Sequence, residues 1–516
     1  MNAHYDLLIV GGGINGVGIA RDAVGRGLSV MLCERDDLAA HTSSSSTKLI
    51  HGGLRYLEYY QFGLVRKALK EREVLVKAAP HIIYPMRFIM PHCRDLRPAW
   101  LIRLGLFFYD HLSRRELLPA SRGIQLRREI YGQPLKENFT KGFVYSDAWV
   151  DDARLVIINA LDAAERGARI ETRTALIHAQ RTTDGVWRAT LEKKCGTKEI
   201  VTARALVNAT GPWVGKTVDQ IMDDSSALTS APIDQPPHVA KNRVRLVKGS
   251  HIIVPKIFDH DHAYIFQNDD KRIIFAIPYE AAFTLIGTTD VEISSDPAQA
   301  HISPEETNYL CQAVNRYFIK QTLPEDVVGS YSGVRPLLDE DNDSSAAAAS
   351  RDYRLETDIK NGLLLLNVFG GKITTYRRLA EDALEKIALF LNCSRQQWTE
   401  KAPLPGGDMV GSFDVFKREI EQRYAALDKN LLARLTCIYG TRVSQLLGNV
   451  RTMADLGEML SEGLYEIEAR YLIEHEWAQT AEDILCRRTK LYLHANDQSW
   501  KRLRDWLANH TSNQSI

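Results

Sequence analysis

The sequence predicts an α/β protein with a Rossmann-like dinucleotide-binding domain, an inserted antiparallel-β domain and a C-terminal helical domain. Three observations lead there. A strand, a glycine turn, a helix, a second strand and an acid follow one another within the first 34 residues. Short β-rich runs separated by polar turns fill residues 245–335, and helical periodicity dominates beyond residue 401.

Leu7 to Val10 form an apolar run that enters Gly11-Gly12-Gly13-Ile14-Asn15-Gly16. Gly11, Gly13 and Gly16 match G-x-G-x-x-G. The first glycine allows a tight turn, the second lets a pyrophosphate approach, and the third packs helix against strand. Ile14 to Val24 supplies the helix, Leu28 to Cys33 the second strand, and Glu34 a carboxylate placed for an adenosine ribose. Glu34 would repel a 2'-phosphate. The fingerprint does not separate FAD from NAD.

The chain then runs Thr42-Ser43-Ser44-Ser45-Ser46-Thr47-Lys48-Leu49-Ile50-His51-Gly52-Gly53-Leu54-Arg55-Tyr56. A solvated linker would account for the serines alone. Hydroxyls and amides of Ser44, Ser45, Ser46, Lys48 and Leu49 also suit diphosphate oxygens, and the glycines let backbone pass close to a flat ring. Leu57 to Lys77 reads as a helix.

Further on, Ala205 to Asn208 is a strand entering Ala209-Thr210-Gly211, small residues where a strand end approaches a ligand or simply turns. Leu363 to Val368 is a buried strand leading through Gly370-Gly371-Lys372 into a helix from Thr374 to about residue 390. Asp341 to Ser350 reads as a surface crossover. The dinucleotide-binding domain is therefore expected in three pieces, residues 1–80, 141–240 and 341–395. Residues 81–140 and 241–340 are assigned to the substrate domain, and 396–516 to a helical accessory domain. Within it, 415–430, 441–448, 466–486 and 497–508 read as helices, with Trp477, Ala481, Ile484 and Leu485 on one face of the longest.

Charge balances at 65 basic and 65 acidic side chains, which argues against a nucleic-acid partner. The seven cysteines are dispersed without a Cys-x-x-Cys pair, so neither zinc nor an iron–sulfur cluster is indicated and no metal is expected. A strand begins at Tyr5, leaving no room for a cleavable signal, and no run reaches the roughly 18 to 20 apolar residues of a spanning helix. Residues 82–112 are apolar and aromatic, punctuated by Arg87, Arg94, Arg97 and Arg103. Burial between domains or contact with a phospholipid surface explains that composition equally.

The N-terminal fingerprint and Lys48-Leu49-Ile50-His51-Gly52-Gly53-Leu54-Arg55-Tyr56 resemble the FAD-dependent respiratory glycerol-3-phosphate dehydrogenases, within the wider D-amino-acid-oxidase-like and glutathione-reductase-like flavoproteins. The resemblance continues through Tyr145-Ser146-Asp147, Trp149 to Leu155, Val207 to Trp213, Lys248-Gly249-Ser250-His251, Ile286 to Asp290, Tyr331 to Leu337 and Phe369 to Arg377. It implies FAD as cofactor, oxidation of sn-glycerol 3-phosphate to dihydroxyacetone phosphate, and electron delivery to ubiquinone or menaquinone. It also implies peripheral attachment to the cytoplasmic side of a membrane and leaves a homodimer open.

A phosphate dianion calls for convergent cations, and arginine offers two donors at once. Arg55, Arg335 and Lys372 sit in glycine- or aromatic-rich blocks, and the resemblance gives them substrate-site roles. Arg55 and Arg335 recognise substrate, Arg335 also polarising the C2 oxygen, while Lys372 lies near the flavin. His51 and His251 are candidate proton acceptors, and Tyr56 and Thr375 candidate donors nearby. Competing readings are an oxidase that makes hydrogen peroxide, an amine or amino-acid oxidase, a nicotinamide enzyme and a non-enzymatic flavin-binding redox sensor.

Overall fold

The structure, a computed structural model, describes residues 3–93, 97–222, 244–270, 272–338 and 352–511. The expected crossover at 341–350, and Arg94, lie outside the described residues.

Strand β1 (His4–Val10), helix α1 (Ile14–Gly25) and strand β2 (Val30–Cys33) follow as expected. In β1, Leu7 and Ile9 enter one hydrophobic cluster while Leu8 and Val10 enter another. Alternation with both faces apolar is what a strand covered on both sides requires. β1 lies parallel to β2 (Leu7 opposite Val30) and to Lys198–Asn208 (Leu7 opposite Ala205). The sheet runs Arg354–Lys360, Leu363–Phe369, Lys198–Asn208, β1, β2, Arg169–Glu171, with a hairpin of Thr174–Arg181 and Trp187–Lys193 beside Lys198–Asn208. Helices α1, Asp152–Glu165 and Tyr376–Ile387 contribute to the cluster on one face.

Among the described residues, the second sheet has ten strands. Its long member, Val244–Pro255, pairs antiparallel with Gly329–Leu338 on one side and with Phe283–Gly287 and Val291–Ile293 on the other. The sheet is largely antiparallel, with Ala263–Gln267 parallel to Ile83–His92. Residues 141–150 differ from expectation. They form a strand of this second sheet, antiparallel to Ile83–His92 from Ile83–Val150 to His92–Lys141. The chain returns to the first domain at Asp151, whose carboxylate caps the next helix by accepting from the Arg154 amide. The strand is buried at nine successive positions, so its own pattern does not say which sheet receives it.

The C-terminal domain has its own core. Helices span Phe413–Arg423, Lys429–Tyr439, Val443–Leu447, Glu466–Glu476 and Asp497–Thr511. Residues 466–486 are not one helix. The first part stops at Trp477, which is left-handed (φ 56°), and Asp483–Arg488 forms a separate wide turn. Trp477 packs against the dinucleotide-domain core, while Ala481, Ile484 and Leu485 enter the C-terminal core, so the four share no face. Among the described residues, no helix is long and apolar enough to cross a membrane.

Candidate active site

A cavity of about 670 Å³ lies where the strand ends of the first sheet meet the second sheet. The glycine turn closes one wall. Gly11 is at φ 112°, and a Cβ there would stand 2.5 Å from the Ala209 carbonyl oxygen. A Cβ on Gly16 would overlap the Gly11 carbonyl, so Gly16 packs helix against strand and does not line the cavity. Gly13 caps α1, whose first turn carries no acidic residue. An anion at that helix end meets amide donors and no acidic side chain from the helix itself.

Glu34 lines the cavity past the end of β2. Its Oε2 accepts from the Gly12 amide at 2.6 Å and its Oε1 from the Asp36 amide at 2.9 Å. Burial pushes this carboxyl up, and the two backbone donors pull it back. Ala209, Thr210, Gly211, Gly370 and Gly371 also line the cavity. Gly370 and Gly371 have φ of 68° and 95°.

The serine loop differs in detail from expectation. Ser43, not Ser44, meets α1: its Oγ accepts from the Ile14 amide at 3.0 Å, whereas Ser44 Oγ turns away to donate to the His41 carbonyl. Ser45, Ser46 and Leu49 line the cavity. Lys48 does not. It is buried, left-handed (φ 58°), and donates from Nζ to Asp152 Oδ1 at 2.7 Å and the Ser44 carbonyl at 3.0 Å. Burial lowers its pKa, opposed by the Asp152 charge. Lys48 braces the loop from behind.

Asn15 carried no expectation. It lines the cavity, donating from Nδ2 to the Gly370 carbonyl at 3.2 Å, while its Oδ1 is buried and has no hydrogen-bond partner among the described residues. A buried acceptor in that state calls for a ligand donor.

The expected cations converge. Arg55, Arg335 and Lys372 all line the same cavity, with Tyr56 and His51. Lys372 Nζ stands 4.0 Å from the centre of the Tyr56 ring. Arg335 forms an ion pair with Asp290 through Nη1 and donates from Nη2 to Thr288 Oγ1 at 3.2 Å. Asp290 and Thr288 line the cavity too and were not singled out from sequence, although both lie in the Gly-Thr-Thr-Asp block.

His251 and Thr375 fall outside the cavity lining. His251 is buried, stacked on Tyr331 at 4.8 Å, with Nε2 3.0 Å from Thr47 Oγ1. Burial first, then the charges of Arg335 and Lys48, push its pKa well below the usual imidazole value. Thr47, which does line the cavity, stands in front of it. The short turn Ile373–Thr375 presents Thr374, whose Oγ1 accepts from the His51 amide at 3.3 Å, and buries Thr375.

Known proteins match this chain along almost its whole length. A family profile described as "FAD dependent oxidoreductase" covers residues 6–377, and one described as "C-terminal domain of alpha-glycerophosphate oxidase" covers 397–509. A glycerol-3-phosphate dehydrogenase of Pseudomonas aeruginosa is 52% identical over 98% of this chain and 95% of that protein. A D-erythritol 1-phosphate dehydrogenase of Brucella abortus is 47% identical over 98% of each. The crystal structure of a glycerol-3-phosphate dehydrogenase from Bacillus halodurans complexed with FAD superposes with a TM-score of 0.77 at 28% identity, covering 99% of this chain and 91% of that one. The glycine turn, the acid-free helix end and the unpartnered Asn15 oxygen fit the same cofactor, so the chain belongs to the FAD-dependent oxidoreductase family and takes FAD as its cofactor.

Proposed function

We propose that the protein oxidises sn-glycerol 3-phosphate to dihydroxyacetone phosphate and passes the electrons to ubiquinone or menaquinone at a membrane surface. The observation that carries this reading is the meeting of Arg55, Arg335 and Lys372 in one cavity. Three cations suit a phosphate dianion far better than the ammonium of an amine substrate.

Bound FAD supplies the hydride acceptor. Arg55 and Arg335 grip the phosphate, and Arg335 polarises the C2 oxygen. His51 takes the hydroxyl proton as the hydride leaves C2, so the alcohol becomes a carbonyl. Lys372, seated on the Tyr56 ring, offsets the negative charge that arrives with the electrons.

The Brucella abortus relative supports a second reading, with a four-carbon polyol phosphate as substrate. Anaerobic mixing of the holoenzyme with each substrate separates the two. Glycerol 3-phosphate should bleach the oxidised flavin band faster at equal concentration; faster bleaching by D-erythritol 1-phosphate would transfer the assignment. Adding a soluble quinone should then restore the band. Peroxide formed in proportion to substrate, with no quinone reduction, would indicate an oxidase.

For the membrane surface, the chain offers helix Ala99–His111. Trp100 is 68% exposed, Phe107 48% and Phe108 42%. Ring contacts of 6.1 to 6.4 Å join Phe107, Phe108, Phe62 and Tyr60 into one patch. Arg66, Lys67, Lys70, Lys77 and Arg114 line a cleft that also includes His111, at the end of the helix, where Glu400 pairs with Lys70 and Glu116 with Lys77. Apolar rings beside cations match an interface of acyl chains and phosphate headgroups.

A further inference from the structure

One short segment of the C-terminal domain, residues 483–490, is tied to the supports of two separate walls of the cofactor cavity. The first is the loop after β2, where Glu34, Arg35, Ala39, Ala40 and His41 line the cavity. Asp37 in that loop is buried and receives three charged donors, Arg488 Nη1 at 2.6 Å, Arg488 Nη2 at 2.9 Å and Arg487 Nε at 2.6 Å. Arg488 is itself fixed within its domain, donating to the Glu476 carbonyl from Nε at 3.2 Å and Nη2 at 2.7 Å. Asp483 pairs with Arg487 and also with Arg173, which precedes the cavity-lining residues Thr174, Ala175 and Leu176.

The second attachment serves the serine loop. Lys490 is buried and forms an ion pair with Asp151. The adjacent Asp152 is fully buried and accepts from the Ser46 amide at 3.1 Å, from Ser46 Oγ at 2.7 Å and from Lys48 Nζ. Ser46 lines the cavity. A buried carboxylate deprived of its cation either moves or takes up a proton; at Asp37 that loosens the loop after β2 directly, and at Asp151, which caps the helix that begins at Asp152, it displaces the carboxylate that holds the serine loop.

We propose that segment 483–490 is a clamp that sets the affinity for FAD, with Arg487, Arg488 and Lys490 as positioning residues acting through Asp37 and Asp151. Binding is reciprocal, so FAD tightens the hold of the C-terminal domain in turn. The proposal rests on FAD as cofactor. If the wild-type apoprotein fails to take up FAD at all, that reading falls, and the clamp falls with it.

The test titrates FAD into apoprotein and follows flavin fluorescence, for wild type, Arg488→Met, Lys490→Met and Arg434→Met. Arg434 pairs with Glu468 inside the C-terminal domain at 2.5 Å and does not line the cavity. Its loss should lower the melting temperature yet leave the FAD dissociation constant within about twofold. Arg488→Met and Lys490→Met should each weaken FAD about tenfold or more, with partial recovery in Arg488→Lys. Should Arg488→Met not fold, Asp37→Asn keeps the shape and removes the charge, with the same expectation. FAD affinities within twofold of wild type in the clamp variants, or an equal loss in Arg434→Met, would overturn the proposal.

Discussion

Arg335 and Asp290 form an ion pair on the cavity wall, and the side chain of Arg335 crosses the position where Gly249 lacks a Cβ. A Cβ at 249 would stand 2.7 Å from Arg335 Nη2 and 2.7 Å from Thr288 Oγ1. In register, Arg335 faces Val247 while Gly249 faces Gly333, so Arg335 and Gly249 are diagonal neighbours across two antiparallel strands. The smallest side chain at 249 leaves room for the largest cation at 335. Gly249→Ala should displace the guanidinium and raise KM for glycerol 3-phosphate about tenfold, with the flavin spectrum and melting curve near wild type. An unchanged KM would show that Arg335 does not contact substrate from this position.

Removing Arg335 itself deletes a charge-assisted contact to phosphate and the polarisation of the C2 oxygen. Arg335→Ala should lower kcat/KM about a hundredfold or more, corresponding to roughly 3 kcal/mol. Asp290→Asn keeps the side chain's size but weakens its hold on the guanidinium, and should cost about three- to tenfold, mainly in KM. A steady-state series on the two variants checks the order. A larger loss from Asp290→Asn would make the carboxylate the substrate-contacting group.

Lys372 and Tyr56 make a second separable pair. A lysine over an aromatic face gains about 0.5 to 2 kcal/mol, and the ring rather than the hydroxyl provides it. Tyr56→Phe should therefore keep kcat within about threefold, whereas Tyr56→Leu should approach the loss seen in Lys372→Met. Equal defects in Tyr56→Phe and Tyr56→Leu would give the hydroxyl a role of its own.

What the sequence revealed follows a physical boundary. Gly11, Gly13, Gly16 and Glu34 were legible because a strand–turn–helix motif is local, and each residue type is demanded by a neighbour a few positions away. Ser43 in place of Ser44, and Thr374 in place of Thr375, turn on tight helical turns that bring one residue to the cavity wall and take the next away from it. Periodicity does not resolve a shift of one residue there. Lys48 and His251 sit in blocks that carry the sequence resemblance, yet their partners are Asp152 and Thr47, distant in sequence and visible only once folded. Residues 141–150 were placed by neighbourhood in sequence, but their membership of the second sheet depends on pairing with Ile83–His92. The break at Trp477 was hidden because the helical pattern resumes beyond it.

Glu280 gives a pH dependence with a definite sign. Burial pushes this carboxyl up to about 7, against the pull of Lys490. A carboxyl raised in the fold contributes stability fully below its unfolded value of about 4.5 and loses it as pH rises through about 7. The wild-type melting temperature should fall between about pH 5 and pH 7.5, and level off above, by an amount equivalent to about 1 to 2 kcal/mol after discounting for solvent screening. Glu280→Gln removes the ionisation, so its melting temperature should stay flat over that window and exceed wild type at the alkaline end. Parallel slopes in the two proteins would remove Glu280 as the source.

The aromatic patch on helix Ala99–His111 predicts how attachment responds to salt and to mutation. Burying one large ring in an acyl interface is worth about 1.5 to 3 kcal/mol, whereas each cation near an anionic surface adds about 1 kcal/mol and is screened by salt. Trp100→Ser with Phe107→Ser exchanges two exposed rings without touching the core, so FAD content and soluble turnover should stay near wild type. Flotation with vesicles of mixed neutral and anionic phospholipid should then fall at least tenfold for the double variant at moderate salt. The wild type should remain bound, because its apolar contribution survives screening. Arg66→Ser with Arg114→Ser should instead weaken binding chiefly at low salt, where headgroup attraction is strongest. Equal flotation of the ring variant and wild type under both conditions would move the membrane surface elsewhere on the molecule.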